Sequence, residues 1–164
     1  MLLGSDILKV IFLDYDGVLN NIPYFQRMGE AFFTAFLMPE KVKLVKKIVD
    51  ATSAKIVLTT TWRANWRETG EQDHRDGILT NKFFAEEGLK IYSKTPNINQ
   101  YRRSDEITLW LQDHKDVLEY VILDDDPYFT VEPNLSHFIR TDPNEGLTEK
   151  DVQRAIEILN GKLK

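Results

Sequence analysis

Two acidic groups carry the first chemical signal in this sequence of 164 residues. One is Asp14-Tyr15-Asp16-Gly17 and the other is Asp124-Asp125-Asp126-Pro127. Each directly follows a short apolar run, Ile7 to Leu13 and Tyr120 to Leu123. A lone Asp-x-Asp-Gly is common in turns, and a lone aspartate triplet is usually a solvated loop. Together, each after a buried strand, they point to a site. Gly17 permits a tight turn that keeps two carboxylates on one loop. With both loops at one sheet edge, up to five carboxylates converge. Two like charges about 4 Å apart repel by about 4 kcal/mol at an effective dielectric near 20. Such a cluster either holds protons or surrounds a cation. Oxygen ligands select a hard ion, and few carboxylates with a phosphate and waters favour Mg²⁺ over Ca²⁺. Between the acidic groups, Thr59-Thr60-Thr61 follows a third apolar run, Lys55 to Leu58. Threonine favours strands, and a strand-end hydroxyl is also a donor for a metal-bound phosphate.

The elements that must position these groups can be read from periodicity. Ile7 to Leu13 reads as a strand buried on both faces of a parallel sheet. Pro39 opens a helix in which Val42, Val45, Ile48 and Val49 recur at helical spacing. Lys55 to Leu58 is the second strand and Leu89 to Tyr92 the third, with a helix near Asn81 to Glu87 before it. Ser104 reads as an N-cap followed by Asp105 and Glu106, with Ile107, Trp110 and Leu111 as the buried stripe. Tyr120 to Leu123 and Ser136 to Ile139 complete the strands. Thr148 with Asp151 resembles a capping box, Val152, Ala155, Ile156 and Leu159 form the apolar face, and Gly161 stops the helix. This alternation predicts an α/β fold, a Rossmann-like parallel sheet sandwiched by helices. Ligands then sit outside the carboxyl ends of the strands, where Asp14, Thr59 and Asp124 stand. No linker divides the chain, so one domain over 1–164 is expected, with a short aromatic flap or helical insert around 20–38 and no large cap domain. The insert's Tyr24, Phe25, Phe32, Phe33 and Phe36 suit either lid packing or stacking on a substrate. Trp62-Arg63 and Trp66-Arg67 repeat at a spacing of four. On a helix this aligns two tryptophans with two arginines beside them, either packed in the core or arranged to stack a base and hold a phosphate.

Composition excludes several classes. Lys and Arg total 21 against 26 Asp and Glu, a net charge of −5. That balance argues against broad non-specific binding to nucleic acid and gives no support to an anionic membrane, while leaving room for a local phosphate pocket. The absence of cysteine excludes disulfides, thiolate metal sites and a cysteine nucleophile. No apolar stretch approaches the roughly 20 residues of a membrane span. The start, Met1 to Asp6, has no basic region before an apolar run, so a cytoplasmic location is expected. There is no Walker A loop and no Gly-x-Gly-x-x-Gly. His74, His114 and His137 show no metal-ligand spacing.

Ile11-Phe12-Leu13-Asp14-Tyr15-Asp16-Gly17-Val18-Leu19 resembles the first motif of the haloacid dehalogenase (HAD) superfamily of phosphohydrolases. Ile56-Val57-Leu58-Thr59 resembles its second motif, and Val121-Ile122-Leu123-Asp124-Asp125 its fourth. More narrowly, Thr59-Thr60-Thr61-Trp62-Arg63, Arg103-Ser104-Asp105-Glu106-Ile107 with Trp110-Leu111, and Gly146-Leu147-Thr148 resemble the HAD domains of Swiss-army-knife RNA repair proteins, relatives of polynucleotide 3′-phosphatases. The resemblance implies a HAD-like fold and an Mg²⁺-dependent phosphomonoesterase working through an aspartyl-phosphate. Asp14 is then the nucleophile and Asp16 the general acid and base. Mg²⁺ is held by Asp14, the Asp16 backbone carbonyl, Asp124 and Asp125. Thr59 and a third-motif cation neutralise the phosphoryl oxygens. Arg103 fits that cation best, with Arg102 and Lys94 as alternates, and Thr60 and Arg63 are expected to contact substrate. The implied partner is a phosphorylated RNA or DNA end or a nucleotide, with a small phosphorylated metabolite as the alternative. No membrane and no protein partner is implied. A receiver-type phospho-aspartate module fits less well, because its lysine ends the last strand and no lysine stands directly after Ile139 here.

Overall fold

The computed structural model describes residues 7–98, 102–127 and 129–162. The expectation about Met1 to Asp6 therefore lies outside the described residues. Five strands, β1 (Leu8–Leu13), β2 (Lys55–Leu58), β3 (Ile91–Lys94), β4 (Val117–Asp124) and β5 (Phe138–Arg140), form a parallel sheet in the order β3-β2-β1-β4-β5. The helices are α1 (Ile22–Met28), α2 (Pro39–Thr52), α3 (Arg75–Glu86), α4 (Arg103–Asp113), α5 (Asn134–His137) and α6 (Glu149–Leu159), with 3-10 segments at Gly29–Thr34 and Thr61–Asn65.

The central strand β1 is apolar throughout its buried part because both its faces are covered. Ile11 and Leu13 point to one side, with Ile56, Leu58, Val121 and Leu123. There they meet Val45 and Ile48 of α2, Phe84 of α3 and Val152 and Ala155 of α6. Val10 and Phe12 point to the other side, against Ile107 and Trp110 of α4. Trp110 and Tyr120 both stand edge-on to Phe12, at centroid distances of 5.4 and 5.7 Å. Full burial of each such side chain contributes roughly 1.5–3 kcal/mol. The parallel α/β sheet with helices on both faces is as the sequence predicts. Among the described residues, no helix is long and apolar enough to cross a membrane.

Several local readings shift. β3 begins at Ile91 rather than Leu89, because the Leu89 N–H still closes the end of α3 on the Phe84 carbonyl (2.8 Å). β5 begins at Phe138, since Ser136 lies in α5 and its hydroxyl donates to Glu132 (2.6 Å). α3 starts at Arg75, six residues before Asn81, capped by the His74 side chain on the Asp76 N–H. Gly77 hides that turn from a propensity reading, yet it is required. A Cβ there would lie 2.5 Å from Gln72 Oε1 and 2.8 Å from the Asn65 carbonyl. Ser104 is not the cap of α4, which begins at Arg103. Its hydroxyl instead accepts from Asn134 Nδ2 (2.7 Å). The capping box of α6 is present. Thr148 Oγ1 accepts from the Asp151 N–H (3.3 Å), and Asp151 Oδ2 accepts from the Thr148 N–H (2.9 Å). Thr148→Ala should therefore cost about 1 kcal/mol, read as a lower urea midpoint with an unchanged m-value; an unmoved midpoint would remove the cap from the list of stabilising contacts.

Candidate active site

The sheet register assembles the site. Leu13 pairs with Leu58 on one side and with Leu123 on the other. The next residues, Asp14, Thr59 and Asp124, therefore end three adjacent strands whose spacing is about 4.8 Å. The ladder continues through them: the Asp14 N–H donates to the Leu123 carbonyl (3.1 Å) and the Thr59 N–H to the Leu13 carbonyl (3.0 Å). After Asp14 the chain turns sharply, with the Val18 and Leu19 N–H groups both donating to the Tyr15 carbonyl. Gly17 sits at φ +78°, and a Cβ there would lie 2.3 Å from Asp125 Oδ2. Glycine is needed both for the turn and for the approach of that carboxylate. Asp14, Asp124 and Asp125 each contribute an oxygen to a cluster lying within 4.8 Å. Asp14 and Asp124 are buried and Asp125 is half-buried.

Arg103, the first residue of α4, reaches into this cluster. Its Nη1 donates to Asp14 Oδ2 (2.8 Å) and to Asp124 Oδ2 (2.7 Å). Asp124 Oδ1 accepts from the Asp126 N–H (2.9 Å). Burial, then the charge of Asp124, pushes Asp14 up to about 7 in spite of Arg103. Burial also raises Asp124. Asp125 is pushed to about 6 by burial and by the charge of Asp14. Burial works against the Arg103 guanidinium, but Asp14 and Asp124 together raise it above the ordinary arginine value. One guanidinium does not balance three carboxylates, so the cluster retains protons or accepts a cation. Its donors are all oxygen, which fits a hard divalent ion. At the end of the neighbouring strand β2, Thr59 Oγ1 is buried with no hydrogen-bond partner among the described residues. An unmet buried hydroxyl costs about 1–3 kcal/mol, which an oxyanion at this edge would relieve.

Asp16 is exposed at the mouth of the site. Its Oδ1 accepts from Asn20 Nδ2 (2.9 Å) and its Oδ2 from Trp62 Nε1 (3.1 Å). Asn20 also accepts from the Gly17 N–H and donates to the Phe36 carbonyl, both at 2.9 Å. Thr141 Oγ1 donates to the Gly17 carbonyl (2.7 Å). Asn20 and Thr141 are absent from the sequence reading of the site, and Trp62, which that reading offers for the core or for stacking a base, donates its indole N–H to Asp16. Only Asn20 has a local signal, an amide four residues after Asp16 in the same loop.

The expected substrate contacts are placed differently. The Trp-Arg repeat does not form one helical face, because Thr61–Asn65 is a 3-10 segment that ends before Trp66. Trp66 is buried with its Nε1 on Asn81 Oδ1 (2.9 Å), and Arg67 pairs at the surface with Asp73 (2.5 Å). Arg63 is buried and uses all five N–H donors within the protein. They go to the carbonyls of Thr59, Thr60, Thr95 and Pro96 and to Glu106 Oε2 (2.6 Å). Arg63 is thus a fastener of strand ends, with no donor left for a phosphate. Thr60 is buried as the cap of the 3-10 segment, accepting from the Trp62 N–H (3.3 Å). Of the cations considered for the third motif, Arg102 is exposed beside Asp105. Lys94 donates to the carbonyls of Arg63 and Trp66, and burial holds its ammonium below the ordinary lysine value. Arg103 is the one of these three that meets Asp14. Arg63→Met should lower unfolding stability by about 3–5 kcal/mol, measured by urea titration; a raised KM with unchanged stability would restore it as a substrate contact.

The family model described as the HAD domain in Swiss Army Knife RNA repair proteins matches residues 10–152. No curated protein and no solved structure matches the chain. The matched span runs from β1 into α6 and takes in the acid pair, Thr59, Arg103 and the second acidic group. The strand-end acids that the register draws together form an all-oxygen cluster that could hold a divalent cation, with the Arg103 guanidinium beside it, and the chain belongs to the family of HAD domains in Swiss Army Knife RNA repair proteins, within the HAD superfamily of hydrolases.

Proposed function

We propose that this chain is an Mg²⁺-dependent phosphomonoesterase that forms an aspartyl-phosphate on Asp14 and acts on the phosphorylated end of a nucleic acid. The observation that carries the reading is the pair of groups flanking Asp14: the Arg103 guanidinium at 2.8 Å and the unmet Thr59 hydroxyl on the neighbouring strand. Both suit the oxygens of a phosphoryl group held against the Asp14 carboxylate. Asp14 attacks phosphorus and the ester P–O bond breaks, while Asp16 gives its proton to the departing oxygen. Asp16 then takes a proton from water. The water oxygen attacks phosphorus, the bond to Asp14 breaks, and inorganic phosphate leaves. Asp14, the Asp16 backbone carbonyl, Asp124 and Asp125 are the groups that would hold Mg²⁺, which when bound neutralises charge on the transferring phosphoryl group. Thr59 and Arg103 orient the remaining oxygens. The catalytic unit spans 1–164, and the insert at 20–38 is its flap. Membership of an RNA-repair family supports the nucleic-acid end over a small metabolite.

Asp14→Asn should abolish Mg²⁺-dependent hydrolysis of p-nitrophenyl phosphate, and a chelator should do the same to the unaltered protein; substantial residual turnover would end the covalent mechanism. A 3′-phosphorylated oligonucleotide should be preferred over mononucleotides and sugar phosphates, and turnover confined to the small phosphates would overturn the choice of substrate.

The carboxylate cluster also predicts a pH dependence. The pKa of Asp14 rises from 3.8 to about 7 on folding, and that of Asp125 from 3.8 to about 6. Between these limits the folded state binds protons that the unfolded chain has released. The contribution is therefore complete below the unfolded value and is lost as pH rises through the folded one. Without metal, the thermal midpoint should fall between about pH 5 and about pH 8. Mg²⁺ should raise it more at the upper pH, because metal binding displaces the protons. A midpoint flat in pH and indifferent to Mg²⁺ would contradict the cluster's charge.

A further inference from the structure

A cavity of about 280 Å³ opens beside Asp16. Asp16 and Asp125 are among the residues that line it, and Ile22, Phe25, Phe32 and Pro143 supply its apolar wall. Neither Thr59 nor Arg103, the groups on the phosphoryl side of Asp14, lines it. We infer that this cavity receives the leaving group of the substrate, and that its occupant is the flat base of the terminal nucleoside. The inference rests on the phosphomonoesterase reading above, since the group that protonates the departing oxygen must face the leaving group, and Asp16 lies in this wall.

The chemistry of the wall selects the occupant. Phe25 and Ile22 are large apolar side chains left 51% and 42% exposed. Phe25 meets Phe32 edge-on at 4.9 Å and 84°, and Phe32 in turn meets Tyr24 and Trp62. The aromatic wall is therefore braced from behind. The facing side is tied to it, because the Ile22 N–H donates to the Pro143 carbonyl (3.0 Å) and Asn21 Nδ2 to the Glu145 carbonyl (3.2 Å). A braced wall keeps the cavity open for a rigid planar guest. The Asn20 amide nitrogen is fully engaged with Asp16 and the Phe36 carbonyl. The wall thus offers a stacking surface in preference to hydrogen bonds that would read a base. Asp16 and Asp125 disfavour a phosphate inside the cavity, so the part of the substrate that enters it is the uncharged base, with the next phosphodiester left outside. The volume of about 280 Å³ falls just below the roughly 300–1,000 Å³ typical of drug-sized ligand sites, which suits a single base in preference to a larger guest. Stacking on such side chains is tolerant of base identity.

The test compares two 3′-phosphorylated oligonucleotides that differ only in whether the terminal nucleotide carries a base or is abasic. The value of kcat/KM is measured for each with the full chain. The unaltered protein should favour the base-bearing end by about tenfold or more. Phe25→Ala should bring that ratio towards one, and Phe25→Trp should keep it. Equal turnover of the two ends by the unaltered protein, or an undiminished preference in Phe25→Ala, would overturn the pocket while leaving the phosphatase reading intact. Hydrolysis of sugar phosphates with neither oligonucleotide turned over would overturn both the nucleic-acid substrate and the pocket.

Discussion

Everything at the catalytic edge follows from an unresolved surplus of negative charge. The β1–β4 register leaves Asp14 and Asp124 no room to separate, because Leu13 and Leu123 are paired and buried immediately before them. Gly17 then lets the Asp125 carboxylate come closer still. A solvated cluster would screen this repulsion, but burial removes the water that would do so. Arg103 answers part of the charge and leaves the rest. A buried ion pair is weak evidence for stability. Three carboxylates around one guanidinium are better understood as a site kept ready for further positive charge and for the polarised phosphoryl group that accompanies it.

Holding Arg103 in place is the work of α4, and α4 is fastened from both sides. Glu106 lies three residues after Arg103, on the same helical face. It meets Arg63, whose other donors bind the carbonyls that end β2 and follow β3. On the opposite side, Asn134 donates to Ser104 Oγ and accepts from the Tyr120 hydroxyl of β4 (2.8 Å). The start of the helix therefore cannot move along the sheet edge without breaking contacts to β2, the segment after β3, β4 and α5. The buried Arg63–Glu106 pair thereby fixes the helix that carries the cation touching Asp14.

The parts of this arrangement that depend on short-range rules were legible in the sequence. β1, β2 and β4 announce themselves as apolar runs because they are covered on both faces, and the chemistry sits directly after each run. Thr148 and Asp151 make their reciprocal bonds within one turn, so their spacing is sufficient to identify them. The remainder depends on distant partners. Ser104 satisfies the local rule for a cap but is engaged by Asn134, thirty residues away. Arg63 resembles a surface arginine beside a tryptophan until the carbonyls of Thr95 and Pro96 are brought to it. Spacing alone left Arg102, Arg103 and Lys94 as alternatives, because the choice depends on which of them α4 or the β3 edge turns towards Asp14. The aromatic character of residues 20–38 was legible, but the division of their rings between buried and exposed positions was not.

That division links the insert to the acid chemistry. Tyr24, Phe32 and Phe36 are buried, whereas Phe25 and Phe33 remain exposed, so one layer of rings anchors the segment and another faces outward. The Tyr24 hydroxyl donates to the Ala35 carbonyl (2.6 Å) and closes the insert on itself. Phe36 lies flat against Trp62, with centroids 4.3 Å apart, and the same indole donates to Asp16. Asn20 makes a second connection between Asp16 and Phe36 through the Phe36 carbonyl. The position of the Asp16 carboxylate and the packing of the insert are consequently one mechanical problem. A side chain that has to protonate a leaving oxygen needs a fixed orientation, and exposure at a loop would not provide one. Here the orientation of Asp16 comes from an indole and an amide that are themselves held by the rings beneath the insert, so a short segment can serve both as the proposed wall for the substrate and as the support for the proposed acid.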